Sequence, residues 1–109
     1  MIMSALHPFV EKVDAIIETH LLDANFGTQE LANYLFIDRV QLFRKLKHLT
    51  GFPPQTYIRY YRLEKGQELL YNTKLPIKEI AYNIGFKDPA HFTNAYRDLY
   101  GIPPSAARK

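Results

Sequence analysis

The sequence predicts an all-α fold, two helical units joined by a long helix, and three observations carry that expectation. The first is a phrase the chain states twice. From Glu30 it runs Glu30-Leu31-Ala32, then Leu35, Ile37, Asp38, Leu42, Leu46, Lys47, Leu49, Gly51, Phe52, Pro53 and Pro54. From Glu79 it runs Glu79-Ile80-Ala81, then Ile84, Phe86, Asp88, Phe92, Tyr96, Arg97, Leu99, Gly101, Ile102, Pro103 and Pro104. The second is the spacing of apolar residues within each copy at intervals of three and four, the period of one helix face. The third is the stretch between the copies, where Ile58, Leu63, Leu69 and Leu70 fall on one stripe. The offset between copies is 49 residues as far as Ile37/Phe86 and 50 from Asp38/Asp88 onward, so the second copy carries its extra residue in a turn. Solenoids need three or more repeats to bury a continuous core. Two copies suggest a paired device.

Taken in order, Pro8 to roughly Leu22 reads as an amphipathic helix with Phe9, Val13, Ile16, Ile17 and His20 on its inner face. His20 there suits packing at the core edge. Asp23-Ala24-Asn25-Phe26-Gly27 supplies turn residues that end it. Thr28 is a good N-cap for a helix from Gln29 to Leu35, with Leu31, Ala32 and Leu35 inward and a small residue, Ala32, where a close crossing needs one. Phe36-Ile37 is a tight connection, and Asp38 can cap the next helix at once. Phe36 is an awkward residue if that turn needs a positive φ, whereas the second copy offers Gly85.

The helix from Arg39 to about Leu49 turns Leu42, Lys45, Leu46 and Leu49 inward and Val40, Phe43, Arg44 and Lys47 outward. Gly51 stops it and Pro53-Pro54 forbids continuation. A long helix from about Gln55 to Tyr71 follows. Within its apolar stripe lie Arg62, which reads as a buried, hydrogen-bonded structural arginine, and Gly66. After Asn72-Thr73-Lys74-Leu75, Pro76 suits the first position of a helix through about Ile84, and Gly85-Phe86-Lys87 makes the second turn. Asp88 caps and Pro89 starts the last long helix, with Phe92, Ala95, Tyr96 and Leu99 inward and Ala90, Thr93, Asn94 and Arg97 outward. Helix, tight turn, capped helix is the sequence shape of a helix-turn-helix. The chain therefore reads as one domain over residues 1–109: a first helix-turn-helix unit at 8–54, a linker helix at 55–71 and a second unit at 72–109.

Composition narrows the chemistry. The 109 residues, 47% hydrophobic and 23% charged, suit one small globular domain. With no cysteine there are no disulfides or thiolate metal sites, which fits a reducing compartment. His7, His20, His48 and His91 lie far apart with no ligand spacing, so no metal site is expected and nothing calls for a cofactor. No apolar run approaches the ~20 residues that span a bilayer, and the amino terminus lacks a leader pattern, so the expected location is the cytoplasm and no membrane partner is expected. Net charge is only +3. Its distribution is uneven: residues 39–65 hold Arg39, Arg44, Lys45, Lys47, Arg59, Arg62 and Lys65 against the single acid Glu64. A basic middle with interleaved aromatics can be a solvated helix face or an electrostatic footprint for nucleic acid.

Geometry favours the second reading. A helix of this size fits the major groove of B-DNA, with residues near its amino end at base edges and the following turn near phosphates. Arginine forks onto guanine O6 and N7, and asparagine onto adenine N6 and N7, each worth ~1–3 kcal/mol of discrimination. Arg44 and Asn94, matched by the repeat, are the leading base readers; Arg39, Val40, Phe43, Ala90 and Thr93 complete the candidate base-contacting set. Thr28, Lys47, Arg59, His91 and Arg97 are the candidate phosphate contacts. Polar residues on an exposed face need no function, and for Thr93 and Asn94 it is the equivalent position in the first copy that argues for one.

The stretches Glu30-Leu31-Ala32, Leu42-Phe43-Arg44-Lys45-Leu46-Lys47, Thr50-Gly51-Phe52-Pro53-Pro54, Arg62-Leu63, Pro76-Ile77-Lys78-Glu79-Ile80-Ala81, Gly85-Phe86, Phe92 and Gly101-Ile102-Pro103-Pro104-Ser105 resemble the DNA-binding domain of the AraC/XylS transcription regulators. The resemblance runs from about Phe9 to Arg108. It implies about seven helices forming two helix-turn-helix subdomains on the linker helix, with two recognition helices in adjacent major grooves of double-stranded DNA. It also implies contact with RNA polymerase and a sensor or signalling domain in the full-length protein. The wording around Gln41 to Gly51 is similar to regulators fused to two-component signalling proteins. The chain departs from the family's usual pattern at Phe36, Gly66 and Ala107. Two other classes compete with this reading: a helical protein-interaction module docking an acidic partner on the Phe43 face, and an enzyme, which the lack of any nucleophile, base and orienter grouping argues against.

Overall fold

The computed structural model describes residues 7–108. The leader-free reading of the amino terminus and the outermost domain limits lie partly outside that range. Seven helices follow in order: α1 (Pro8–Thr19), α2 (Thr28–Leu35), α3 (Arg39–Thr50), α4 (Pro54–Asn72), α5 (Ile77–Asn83), α6 (Pro89–Tyr100) and α7 (Pro104–Ala107). Among the described residues there is no strand, and no helix is long and apolar enough to cross a membrane.

The chain divides into two compact units within α4, between Tyr61 and Arg62, and the segment Leu21–Ala24 belongs with the second. In the first unit Val10, Val13 and Ile17 of α1, Leu31 and Ala32 of α2, and Leu42 and Leu46 of α3 are fully buried. α4 closes this core with Tyr57, whose hydroxyl donates to Asp14 at 2.6 Å, and Tyr61, which donates to Glu18 at 2.6 Å. A tyrosine can be buried this way because its ring fills volume while its hydroxyl meets a carboxylate at the rim. Lys45, expected inward, is exposed and lays its ammonium over the Phe9 ring, 4.6 Å from the centroid. The negative face of the ring attracts the ammonium there. His20 stacks on Phe26 at 4.8 Å and lies against Tyr34 at 4.5 Å, as expected for a residue at the core edge.

In the second unit Ile80, Ala81 and Ile84 pack with Phe92 and Tyr96 of α6, all fully buried. Arg62, 6% exposed, donates to the carbonyls of Leu21 at 2.6 Å, Ile84 at 2.7 Å and Asp23 at 3.0 Å. Burial lowers its pKa, with the charge of Asp23 opposing the shift. A cation in this place is tolerated because its donors meet carbonyl oxygens. Gly66 lies close to its neighbours: a Cβ there would lie 2.9 Å from Ile84 Cδ1 and 3.1 Å from Phe92 Cε1. The close approach of α4 to the α5–α6 core suits a glycine, and alanine would require the Ile84 methyl and the Phe92 ring to give way.

The repeat is visible in the backbone. Ile37 N–H donates to Ala32 O at 3.2 Å, and Phe86 N–H to Ala81 O at 3.0 Å; one residue earlier, Phe36 bonds Asn33 O and Gly85 bonds Tyr82 O. The same carbonyls at the ends of α2 and α5 are thus closed by the same turn, and the extra residue of the second copy falls after it. Boundaries differ from the sequence reading in three places. α1 stops at Thr19, short of Leu22. Thr28 is the first residue of α2, and Gly27 is the N-cap, its N–H bonded to Glu30 Oε1 at 2.9 Å. Pro76 is the N-cap of α5, since its missing N–H and extended ψ suit the position just outside as well as the one inside.

Candidate nucleic-acid interface

α3 and α6 are built alike from their ends inward. Asp38 Oδ1 accepts from Gln41 N–H at 2.7 Å, and Asp88 Oδ1 from His91 N–H at 2.8 Å. In α3 the Gln41 side chain returns the bond to Asp38 N–H at 3.2 Å, completing a capping box. Gly51 and Gly101 end the two helices at φ +84 and +85, their N–H groups on Lys47 O and Arg97 O, each at 2.8 Å. Leu42/Phe92 and Leu46/Tyr96 anchor the inner faces at zero exposure. The opposite face of each helix is exposed, apart from half-buried Thr93.

In the first unit that face is apolar and basic at once. Val40 is 58% and Phe43 50% exposed, beside exposed Arg39, Arg44 and Lys47. Arg39, Val40, Phe43 and Arg44 line an open groove of about 690 Å³ with Thr28 of α2 and with Pro53, Pro54 and Gln55. The starts of α2 and α4 therefore flank the outer face of α3. The first-turn N–H groups of a helix have no intrahelical partner and carry partial positive charge. No acid lies in the first turn of α4, whereas Glu30 caps that of α2, so the groove combines two side-chain cations with one helix amino end free of acid. A second, shallower groove on the other flank is lined by Ile37, Gln41, Arg44, Lys45 and His48. Arg44 is common to both.

Five of the residues singled out in the sequence, Thr28, Arg39, Val40, Phe43 and Arg44, meet in the larger groove. Lys47 is exposed one turn further along α3, and Arg59 is exposed on α4 with its guanidinium 5.9 Å from the Tyr60 ring. Pro53, Pro54 and Gln55 join the groove without having been expected there. In the sequence Pro53 and Pro54 read only as a helix stop and Gln55 as the start of the linker helix, although a proline at the start of a helix with no acid in its first turn was the available signal.

In the second unit Ala90, Asn94 and Arg97 are exposed on α6 and Thr93 is half-buried. Arg97 Nη2 donates to Asn94 Oδ1 at 3.0 Å. His91 is exposed, its ring edge-on to Phe86 at 5.4 Å. Among the described residues no group of histidine and carboxylate side chains could hold a metal ion.

Paired helices that bury matched faces and expose a basic, partly apolar one define a double helix-turn-helix module. The profile of the helix-turn-helix domain family matches residues 31–109, and the chain belongs to this AraC/XylS-type family of transcription regulators. It is 32% identical over 102 residues, 94% of its length, to the HTH-type transcriptional regulator GbdR of Pseudomonas aeruginosa, of which it covers 28%. The C-terminal domain of the two-component response regulator yesN from Fusobacterium nucleatum superposes with a TM-score of 0.84 at 31% identity, covering 94% of this chain and 100% of that one. The DNA-binding domain of AdpA, solved in complex with a target DNA, superposes with a TM-score of 0.81 at 27% identity, covering 88% and 86%. The chain spans 7% and 28% of the length of two curated relatives it matches.

Proposed function

We propose that the chain binds double-stranded DNA sequence-specifically and thereby regulates transcription, with α3 and α6 as its two recognition helices. The observation that carries this reading is the exposed face of α3: Val40 and Phe43 beside Arg39 and Arg44, in a groove flanked by the starts of α2 and α4. Apolar side chains suit thymine methyl groups, arginines suit guanine edges, and helix amino ends suit phosphates. Arg39, Val40, Phe43, Arg44, Ala90, Thr93 and Asn94 are assigned to bases, and Thr28, Lys47, Arg59, His91 and Arg97 to the backbone. The start of α4, whose Pro53, Pro54 and Gln55 line the groove with Thr28, is assigned to the backbone as well.

The test is selection of binding sites from a random duplex library, followed by affinity measurements on variants. Two unlike half-sites are expected, separated by about one helical turn, ~10 bp. Arg44→Ala should relax base preference in one and Asn94→Ala in the other, each by ~1–3 kcal/mol of discrimination. A chain that retains no duplex at low salt, but captures an acidic protein, would instead support the interaction-module reading.

The remaining assignments follow from the family. The cytoplasm is the expected location, and RNA polymerase the expected protein partner of the bound chain. A sensor or signalling segment would lie in the part of a longer protein that this chain does not span, as in the response regulator whose C-terminal domain it resembles.

A further inference from the structure

Arg97 and Asn94 lie three residues apart on the exposed face of α6, joined by the 3.0 Å bond from Arg97 Nη2 to Asn94 Oδ1. We propose that Arg97 is a positioning residue for base recognition: it fixes the rotation of the Asn94 amide, so that the base preference of the second unit belongs to the pair. This rests on the DNA-binding reading above and deepens it.

The chemistry is directional. A guanidinium only donates, so the one amide atom that can face it is Oδ1. Rotating the amide by half a turn would set Nδ2 donors against a cation and forfeit a charge-assisted bond. Asparagine reads adenine by accepting from N6 and donating to N7, which requires the amide to hold one sense. With Oδ1 held by Arg97, the Nδ2 donors occupy the opposite edge of the planar amide, and the second Oδ1 lone pair stays available. An amide free to turn presents donor and acceptor interchangeably and separates fewer base edges. Ordering it before DNA arrives also removes that ordering from the cost of binding.

Two features of the sequence make the pair specific to this unit. The residues three and four positions from Arg97 along the helix are Thr93, Asn94, Tyr100 and Gly101, so no carboxylate at helical spacing competes for the guanidinium. In the first copy the equivalent residues are Arg44 and Lys47. Both only donate, and neither can orient the other. The first unit thus serves as an internal control.

The experiment measures position-by-position base preference of the chain on duplex DNA at fixed salt. The proteins are the unaltered chain, Asn94→Ala, Arg97→Ala, the double variant and Lys47→Ala. Arg97→Ala is expected to flatten preference at the positions that Asn94→Ala flattens, by about fivefold or more, the lower end of a bidentate contact. The double variant should be no flatter than Asn94→Ala alone, and Lys47→Ala should weaken every sequence alike. If Arg97→Ala weakens every sequence alike, or if the two losses add, the pairing is overturned while the DNA-binding reading stands. If the unaltered chain retains no duplex DNA at low salt, the DNA-binding reading falls and takes this one with it. Both side chains are exposed, so unchanged melting temperatures are expected and separate these outcomes from loss of fold.

Discussion

Phe36 and Gly85 occupy equivalent places in the two tight turns, and both adopt the left-handed conformation, at φ +58 and +87. Only one of them is chemically suited to it. A side chain at positive φ is strained by on the order of 1 kcal/mol, and Phe36 is in addition 91% exposed. Phe36→Gly is therefore expected to leave stability unchanged or raise it by about 1 kcal/mol, read from denaturant midpoints; a clear loss would mean the ring makes contacts that its exposure belies. Gly85 tolerates no counterpart change. A Cβ there would overlap the Arg62 guanidinium and lie 2.5 Å from Leu21 O. Gly85→Ala should cost more than about 2 kcal/mol, because strain adds to the loss of buried hydrogen bonds. Equal effects at the two sites would refute this account of the turn.

At the scale of elements, α6 carries a tension on its inner side. The hydroxyls of Tyr96 and Tyr100 are buried without a hydrogen-bond partner, although Gln67 and Tyr71 lie close enough to Tyr96 to influence it. Burial, the charge of Glu64 and other neighbours push the Tyr100 phenol up to about 12, and burial raises Tyr96 as well. With the folded pKa above the ordinary value of 10.0, the unfolded chain releases its proton first as pH rises. Stability is then intact below about pH 10 and falls as pH climbs toward about 12. Tyr100→Phe should flatten that alkaline loss in thermal melts recorded across this window; an unchanged slope would show that another group carries it. The end of α4 is held differently, by Arg108, whose guanidinium donates to the carbonyls of Leu69, Leu70, Thr73 and Leu75. Those include the carbonyls a helix leaves unmet at its C-terminus. Arg108 gives the closing residues of the chain a structural role that the short α7 alone would not supply.

For the molecule as a whole, modest net charge with a concentrated basic stretch predicts binding that depends steeply on salt. Each phosphate neutralised releases counterions, so the slope of log K against log salt falls by roughly 0.9 per contact. Lys47→Ala should reduce the slope by about that amount while leaving base preference unchanged. A salt-insensitive isotherm would contradict the electrostatic part of the proposal.

The sequence by itself determined the helices, their inward faces apart from Lys45, the repeat and the outward residues Val40, Phe43, Arg44, Ala90 and Asn94, with Thr93 only half-buried. These rest on local spacing, caps and stop signals, which act over one or two turns and are written in adjacent residues. Arg62 was legible too, because a cation inside an apolar stripe must find buried acceptors if the helix is to pack at all. What the sequence left open was decided by contacts between residues distant along the chain, or by a choice among equivalent local partners. Pro53, Pro54 and Gln55 join the groove only because α4 begins beside α3. The space at Gly66 is tight only because Ile84 and Phe92 meet it, and Arg108 closes α4 only across more than thirty residues, from a separation of 33 to 39. The Asn94–Arg97 bond is local, yet helical spacing alone could not say whether Arg97 would face water or its neighbour. Helical periodicity fixes which side of a helix is free; the tertiary structure decides what stands next to it.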